Sequence, residues 1–137
     1  MRFTNWTGVA GVLRWYGVAV GGFLFIRAVT TLAGGASFAV PGTGWRSLFQ
    51  LAAVAILVAG IVRPKAMRIA VAAVTVIYLL ATLSELVNGT VLLGAIPADT
   101  RDRIVHPLIA LLGAAALYLP MAVASARLRA RKLPGRP

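Results

Sequence analysis

The chain has 137 residues, 60% of them hydrophobic and 12% charged, with a mean hydropathy of +0.88. Soluble domains are roughly half apolar and a quarter charged, so this composition excludes an ordinary water-solvated domain and points to lipid as the solvent. Lys and Arg outnumber Asp and Glu by 14 to 3, giving +11, and the absence of cysteine excludes disulfides, thiolate nucleophiles and Cys-ligated zinc or iron–sulfur centres.

A run of about 20 apolar residues crosses a bilayer core of roughly 30 Å. Four such runs are predicted, separated by Pro, Gly and clustered charge. The first covers about 15–33, "WYGVAVGGFLFIRAVTTL", and is interrupted by Arg27. Gly17 and Gly21 form a small-xxx-small pair there, with Gly22 adjacent, suited to close helix packing within the bundle or onto another protein. The second covers about 46–62, with Ala52, Ala55 and Ala59 expected to serve the same purpose. The third covers about 69–87 and contains Glu85 near its end. The fourth, about 104–124, carries "GAAA" and leads into a basic tail over 125–137. Every span should be a helix, because in hydrocarbon each backbone N–H and C=O needs a partner inside its own segment, and alternating strand patterns are absent. Trp15, Tyr16, Trp45 and Tyr118 read as interfacial anchors.

The cations set the orientation. Arg2, Arg14, Arg63, Lys65, Arg68, Arg127, Arg129, Arg131, Lys132 and Arg136 fall on one side, against Arg46, Arg101 and Arg103 on the other. The positive-inside rule then places both termini in the cytoplasm, in a multi-pass cell-membrane protein. The basic tail would meet the anionic lipids of the inner leaflet, as a stop-transfer anchor or a lipid-recognition segment. A cleaved signal peptide ending near "AGGASFA" is the competing reading of the N-terminus. The Asn5 and Asn88 sequons read as coincidental.

A shift of 56 positions carries Pro41 onto Pro97, Ala39-Val40 onto Ala95-Ile96 and Gln50 onto His106. The expected architecture is therefore an all-α membrane protein, one domain over 1–137, whose four-helix bundle is built from two tandem helical hairpins about a pseudo-two-fold axis along the membrane normal. Chance similarity between two apolar hairpins is the rival explanation.

All three acidic residues, Glu85, Asp99 and Asp102, and the one histidine, His106, fall in a single stretch around the third-to-fourth span connection. Asp99 and Asp102 have the spacing of an N-cap and a helix-start acid, and both would meet the positive end of the helix dipole. If the helix already runs through this point, Asp102 and His106 share a face at i and i+4. Pro107 leaves two possibilities, a kinked helix or one that begins with Pro107 at its first position and His106 as cap. Charged groups inside a membrane face a partner or water, and Arg27, one repeat from position 83, is expected to pair with Glu85. Arg27, Glu85, Asp102 and His106 then form a polar intramembrane cluster, with Asp99 as helix cap. The alternative is that Arg27 and Glu85 snorkel separately to the headgroups.

The stretch "IPADTRDRIVHPLIALLG" resembles the second-half signature of a small actinobacterial four-helix membrane family known only as a domain of unknown function. The positions carrying the resemblance are Pro97, Asp99, Asp102 and His106. The family usually repeats such a site in its first half, where this chain has "GTGWRSLFQL" with Gln50 instead of histidine. The resemblance implies a four-helix fold and brings no activity with it.

No nucleophile motif, metal-ligand set, P-loop or dinucleotide fingerprint occurs, and His106 with Met121 is badly spaced for axial haem ligation. The function expected is therefore non-catalytic, without metal or cofactor and without nucleic acid: an accessory or scaffold subunit of a larger membrane complex, or a homo-oligomer. The alternative is a small transporter or proton-coupled carrier with a polar site in the outer leaflet.

Overall fold

A computed structural model of the chain describes residues 8–89 and 91–132. Arg2, the Asn5 sequon, Thr90 of the Asn88 sequon and the end of the basic tail with Arg136 lie outside the described residues.

Four helices carry the fold: α1 (Gly8–Ala33), α2 (Thr43–Val62), α3 (Met67–Asn88) and α4 (Asp102–Lys132). Each contains a stretch long and apolar enough to cross a membrane, which makes the chain a multi-pass membrane protein. α1 begins at Gly8 rather than near Trp15, and α4 continues to Lys132. Apolar runs mark only what lipid must cover, whereas helical hydrogen bonding continues into the flanking polar sequence.

α2 and α3 are joined by a single 3-10 turn, Pro64–Ala66, with Pro64 at its first position. Proline cannot donate the next helical hydrogen bond, so α2 ends there. The α1–α2 connection contains a cis Val40–Pro41 peptide bond. The α3–α4 connection folds into a short antiparallel hairpin, β1 (Val91–Leu92) and β2 (Ile96–Pro97), with Leu92 opposite Ile96. These two-residue strands lie outside the spans and are too short for sequence alternation to reveal. Leu93 and Gly94 at its tip both have positive φ, 52° and 72°, a conformation natural to glycine and uncommon for leucine. The two connections touch, the Gly42 N–H donating to the Ala95 carbonyl at 3.0 Å, and so lie at one end of the bundle, the loop end. At the opposite end Arg68 Nη2 donates to Met121 Sδ at 2.9 Å, joining the start of α3 to the far part of α4.

α1 packs most extensively on α2, and α3 on α4, while α2–α3 and α1–α4 contacts close the bundle. Buried residues recur every three or four positions. On α2 they are Gly44, Ser47, Gln50, Ala53, Leu57 and Gly60. Ala52, Ala55 and Ala59 lie on the exposed face, so of the two uses expected of small residues, packing within the bundle is not the one they serve. α2 is apolar almost all round, so hydrophobic periodicity selects no face. The choice is made by Ser47 and Gln50, which are 0% and 2% exposed because lipid offers them no hydrogen bonds.

Gly17 lies where α1 meets the start of α3: a Cβ there would come within 2.5 Å of Met67 Cε. Gly21 is less crowded, its Cβ position being 3.6 Å from Leu57 Cδ1. The tightest crossing is at Gly113, inside "GAAA", where a Cβ would overlap Thr75 Oγ1 on α3 and lie 3.0 Å from the Tyr16 hydroxyl on α1. Tyr16 is therefore a core residue and not an interfacial anchor: it is buried and donates its hydroxyl to the Ile109 carbonyl at 3.2 Å. Its polar tip finds a backbone acceptor on α4 before it could reach the headgroups. Trp15, Trp45 and Tyr118 are exposed.

Candidate functional site: paired charges at the loop end

The start of α4 organises the site. Asp99 Oδ1 accepts the backbone N–H groups of Arg101 at 2.9 Å and Asp102 at 3.0 Å. Asp102 Oδ2 in turn accepts the Asp99 N–H at 3.2 Å. This is the reciprocal capping box that the Asp-x-x-Asp spacing suggests, and it fixes both carboxylates beside the N-terminal dipole. Helical backbone bonding begins here, with the Arg103 N–H reaching the Asp99 carbonyl at 3.3 Å. Pro107 accordingly lies inside α4 rather than at its first position. His106 is thus a helix residue and not a cap.

Asp102 is fully buried and is shared by two arginines. Arg27 Nη2 from α1 lies 2.7 Å from Oδ1, and Arg46 Nη1 from the first turn of α2 lies 3.1 Å from Oδ2. Arg46 also donates to Asp99 Oδ2 at 3.0 Å, and Arg27 lies 4.0 Å from the same oxygen. The expected Arg27–Glu85 pair is therefore not the one formed. α4 packs against α1, so the acidic start of α4 meets Arg27, whereas Glu85 is taken by a residue of α4 itself. Glu85 Oε1 and His106 Nδ1 are 2.5 Å apart, with both side chains buried. The His106 ring packs edge-on to Tyr78 and Phe49, with centroids 5.2 and 6.4 Å away. The Tyr78 hydroxyl is buried without a hydrogen-bond partner among the described residues.

The structure thus brings Arg27, Glu85, Asp102 and His106 to the loop end as two adjacent pairs, with Asp99 at their rim. The residue that sequence reasoning left out is Arg46, read only as a charge flanking a span. A signal was present: the 56-residue shift that carries Gln50 onto His106 also carries Arg46 onto Asp102, two residues of opposite charge that the structure pairs. Both cations come from α1 and α2 and all the acids from the second half, so these pairs tie the two halves together.

Burial pushes the Asp99 carboxyl up, but the Asp102 and Arg101 backbone donors and the Arg46 guanidinium outweigh it and hold it below the usual aspartate range. Folding therefore favours the ionised form. The associated stabilisation is complete above the unfolded carboxyl's value of about 4 and is lost as pH falls through the lower folded value. Asp99→Asn should keep a competent cap while flattening this acid dependence, measured as the thermal unfolding midpoint in detergent across pH 3 to 6. An unchanged acid profile in the variant would contradict the assignment.

Between the end of α3 and the start of α4 a cleft of about 220 Å³ is lined by Thr82, Glu85, Leu86, Gly89 and Arg103. Glu85 thus pairs with His106 while also forming part of a wall open to the outside. Among the described residues no group of three or more His, Asp and Glu is arranged to hold a metal ion.

The fold and this site define a four-helix multi-pass membrane protein with a paired-charge cluster at one end of its bundle. Comparison with protein-family models, curated proteins and solved structures gives no match.

Proposed function

We propose that the chain is a non-catalytic integral membrane protein, an accessory or scaffold subunit that associates with a larger membrane complex or with further copies of itself. The observation carrying this reading is the exposed stripe Ala52, Ala55 and Ala59 on α2. Small side chains on a lipid-facing surface let another helix approach closely, and packing is what drives helix association in lipid. The acids at the loop end are already engaged in ion pairs with Arg27, Arg46 and His106, which suits a structural role better than a reactive one.

In this reading the bundle consists of two tandem hairpins in the cell membrane, with both termini in the cytoplasm. Arg63, Lys65 and Arg68 at the α2–α3 turn, together with the basic end of α4, support that orientation and a contact with anionic inner-leaflet lipids. Membership of the four-helix family resembled at Pro97, Asp99, Asp102 and His106 belongs to the same proposal. The cleft at Glu85 favours one alternative, a small transporter or proton-coupled carrier, which would show itself as proton-coupled flux in liposomes that Glu85→Gln abolishes.

The test is Ala52→Ile with Ala59→Ile, which fills the stripe and leaves the buried face of α2 intact. In mild detergent the wild-type protein should retain a partner at fixed stoichiometry, or a second copy, and the double variant should lose it without a change in unfolding temperature. A wild-type protein that runs as a bare monomer under these conditions would contradict the proposal.

A further inference from the structure

The cleft between α3 and α4 has one acid and one base in its wall. Glu85 is 5% exposed, held against His106, and still lines the cavity. Arg103 lies at the exposed start of α4, and its guanidinium has no acidic partner among the described residues, in contrast to Arg27 and Arg46. Thr82 lies in the same wall and donates its hydroxyl hydrogen to the Tyr78 carbonyl at 2.8 Å, which leaves the oxygen lone pairs as acceptors. A recessed carboxylate, a hydroxyl acceptor and an exposed guanidinium complement a zwitterion whose cation enters first and whose anion stays outside.

Size narrows the class further. At about 220 Å³ the cleft is smaller than the ~300–1,000 Å³ of ordinary ligand pockets, large enough for a headgroup and too small for acyl chains. The chains have somewhere else to go. Leu86, in the wall of the cleft, is 77% exposed, and the same ends of α3 and α4 carry the exposed Leu83, Val87 and Ile104.

We infer that this cleft binds the headgroup of a phosphoethanolamine phospholipid drawn from the leaflet at the loop end, with its ammonium on Glu85 and Thr82 and its phosphate on Arg103. A primary ammonium carries three donors for these two acceptors, whereas the trimethylammonium of phosphocholine carries none. Phosphoglycerol carries the same phosphate but no cation, so it offers Glu85 only neutral hydroxyl donors, which bond a carboxylate more weakly than an ammonium does. The site binds a lipid without acting on it, and it goes beyond the scaffold reading without depending on it.

Native mass spectrometry of the full chain, released from mixed micelles containing phosphoethanolamine, phosphocholine and phosphoglycerol lipids with matched acyl chains, reads the preference directly. The expected result is about tenfold greater retention of the phosphoethanolamine lipid, the size of one charge-assisted hydrogen bond. Arg103→Gln and Thr82→Val should each reduce that preference at least about threefold while leaving the unfolding temperature unchanged. Glu85→Gln should abolish it, and because that variant also disturbs His106, the Arg103 and Thr82 variants keep the test decisive if it fails to fold. Soluble glycerophosphoethanolamine in excess should not displace the lipid. Equal retention of the three lipids, an undiminished preference in both Arg103→Gln and Thr82→Val, or displacement by the soluble headgroup would each overturn the assignment.

Discussion

Asp102→Ala should be the most damaging single substitution in the loop-end cluster, costing about 3 kcal/mol or more of folding stability. The side chain is fully buried, accepts the Asp99 N–H that completes the capping box, and lies against two guanidiniums. Its removal leaves Arg27 and Arg46 facing each other at the junction of three helices. Arg46 retains Asp99, but that carboxylate is half exposed and 4.0 Å from Arg27, a weak substitute for a contact of 2.7 Å. Asp102→Asn should rescue only part of the loss, because an amide restores a hydrogen-bond acceptor without the charge. Reversible unfolding in mixed micelles measures both variants. A cost below about 1 kcal/mol for Asp102→Ala would mean that the arginines find solvent at no expense, as exposed ion pairs allow.

The second large effect is expected at Glu85. Glu85→Leu should cost about 2 kcal/mol, because it leaves the buried polar ring of His106 without the carboxylate it lies against. Adding His106→Phe should recover most of that loss. The ring position is already flanked edge-on by Tyr78 and Phe49, which suit a third aromatic, and replacing both members of a buried pair by apolar groups is often nearly neutral. The same measurement of unfolding decides it. A double variant as unstable as Glu85→Leu alone would show that the imidazole has a further role in this position.

What the sequence made legible follows from how strongly lipid constrains the chain. Four apolar runs of sufficient length leave helices as the only satisfactory backbone solution, and all four appear. The pairing of Asp99 with Asp102 was equally readable, because a capping box is local and its spacing is fixed by one helical turn. Arg27 shows where legibility stops. Its depth in α1 was readable, but its partner depends on which helices become neighbours, and that is a property of the bundle. A one-dimensional register placed it near Glu85, whereas the adjacency of α1 and α4 delivers it to Asp102.

Ala52, Ala55 and Ala59 show a second limit. In water the apolar face of a helix turns inward, but in lipid both faces can be apolar and the buried one is marked by Ser47, Gln50 and the glycines. Tyr16 misled for a related reason, since an aromatic near a span end serves as an anchor or a core residue according to whether a backbone acceptor lies within reach. The hairpin at Val91–Pro97 left too few residues for any periodicity.

The charges of the first two helices are neutralised by the start of the fourth. A double-mutant cycle between Arg27→Met and Asp102→Leu, followed by reversible unfolding in bilayer-like micelles, addresses that link most directly. The geometry predicts a coupling of about 1.5–3 kcal/mol, with the double variant more stable than the sum of the single losses implies. Strictly additive losses, or a coupling that appears only when Arg27 is paired in the cycle with Glu85, would contradict it.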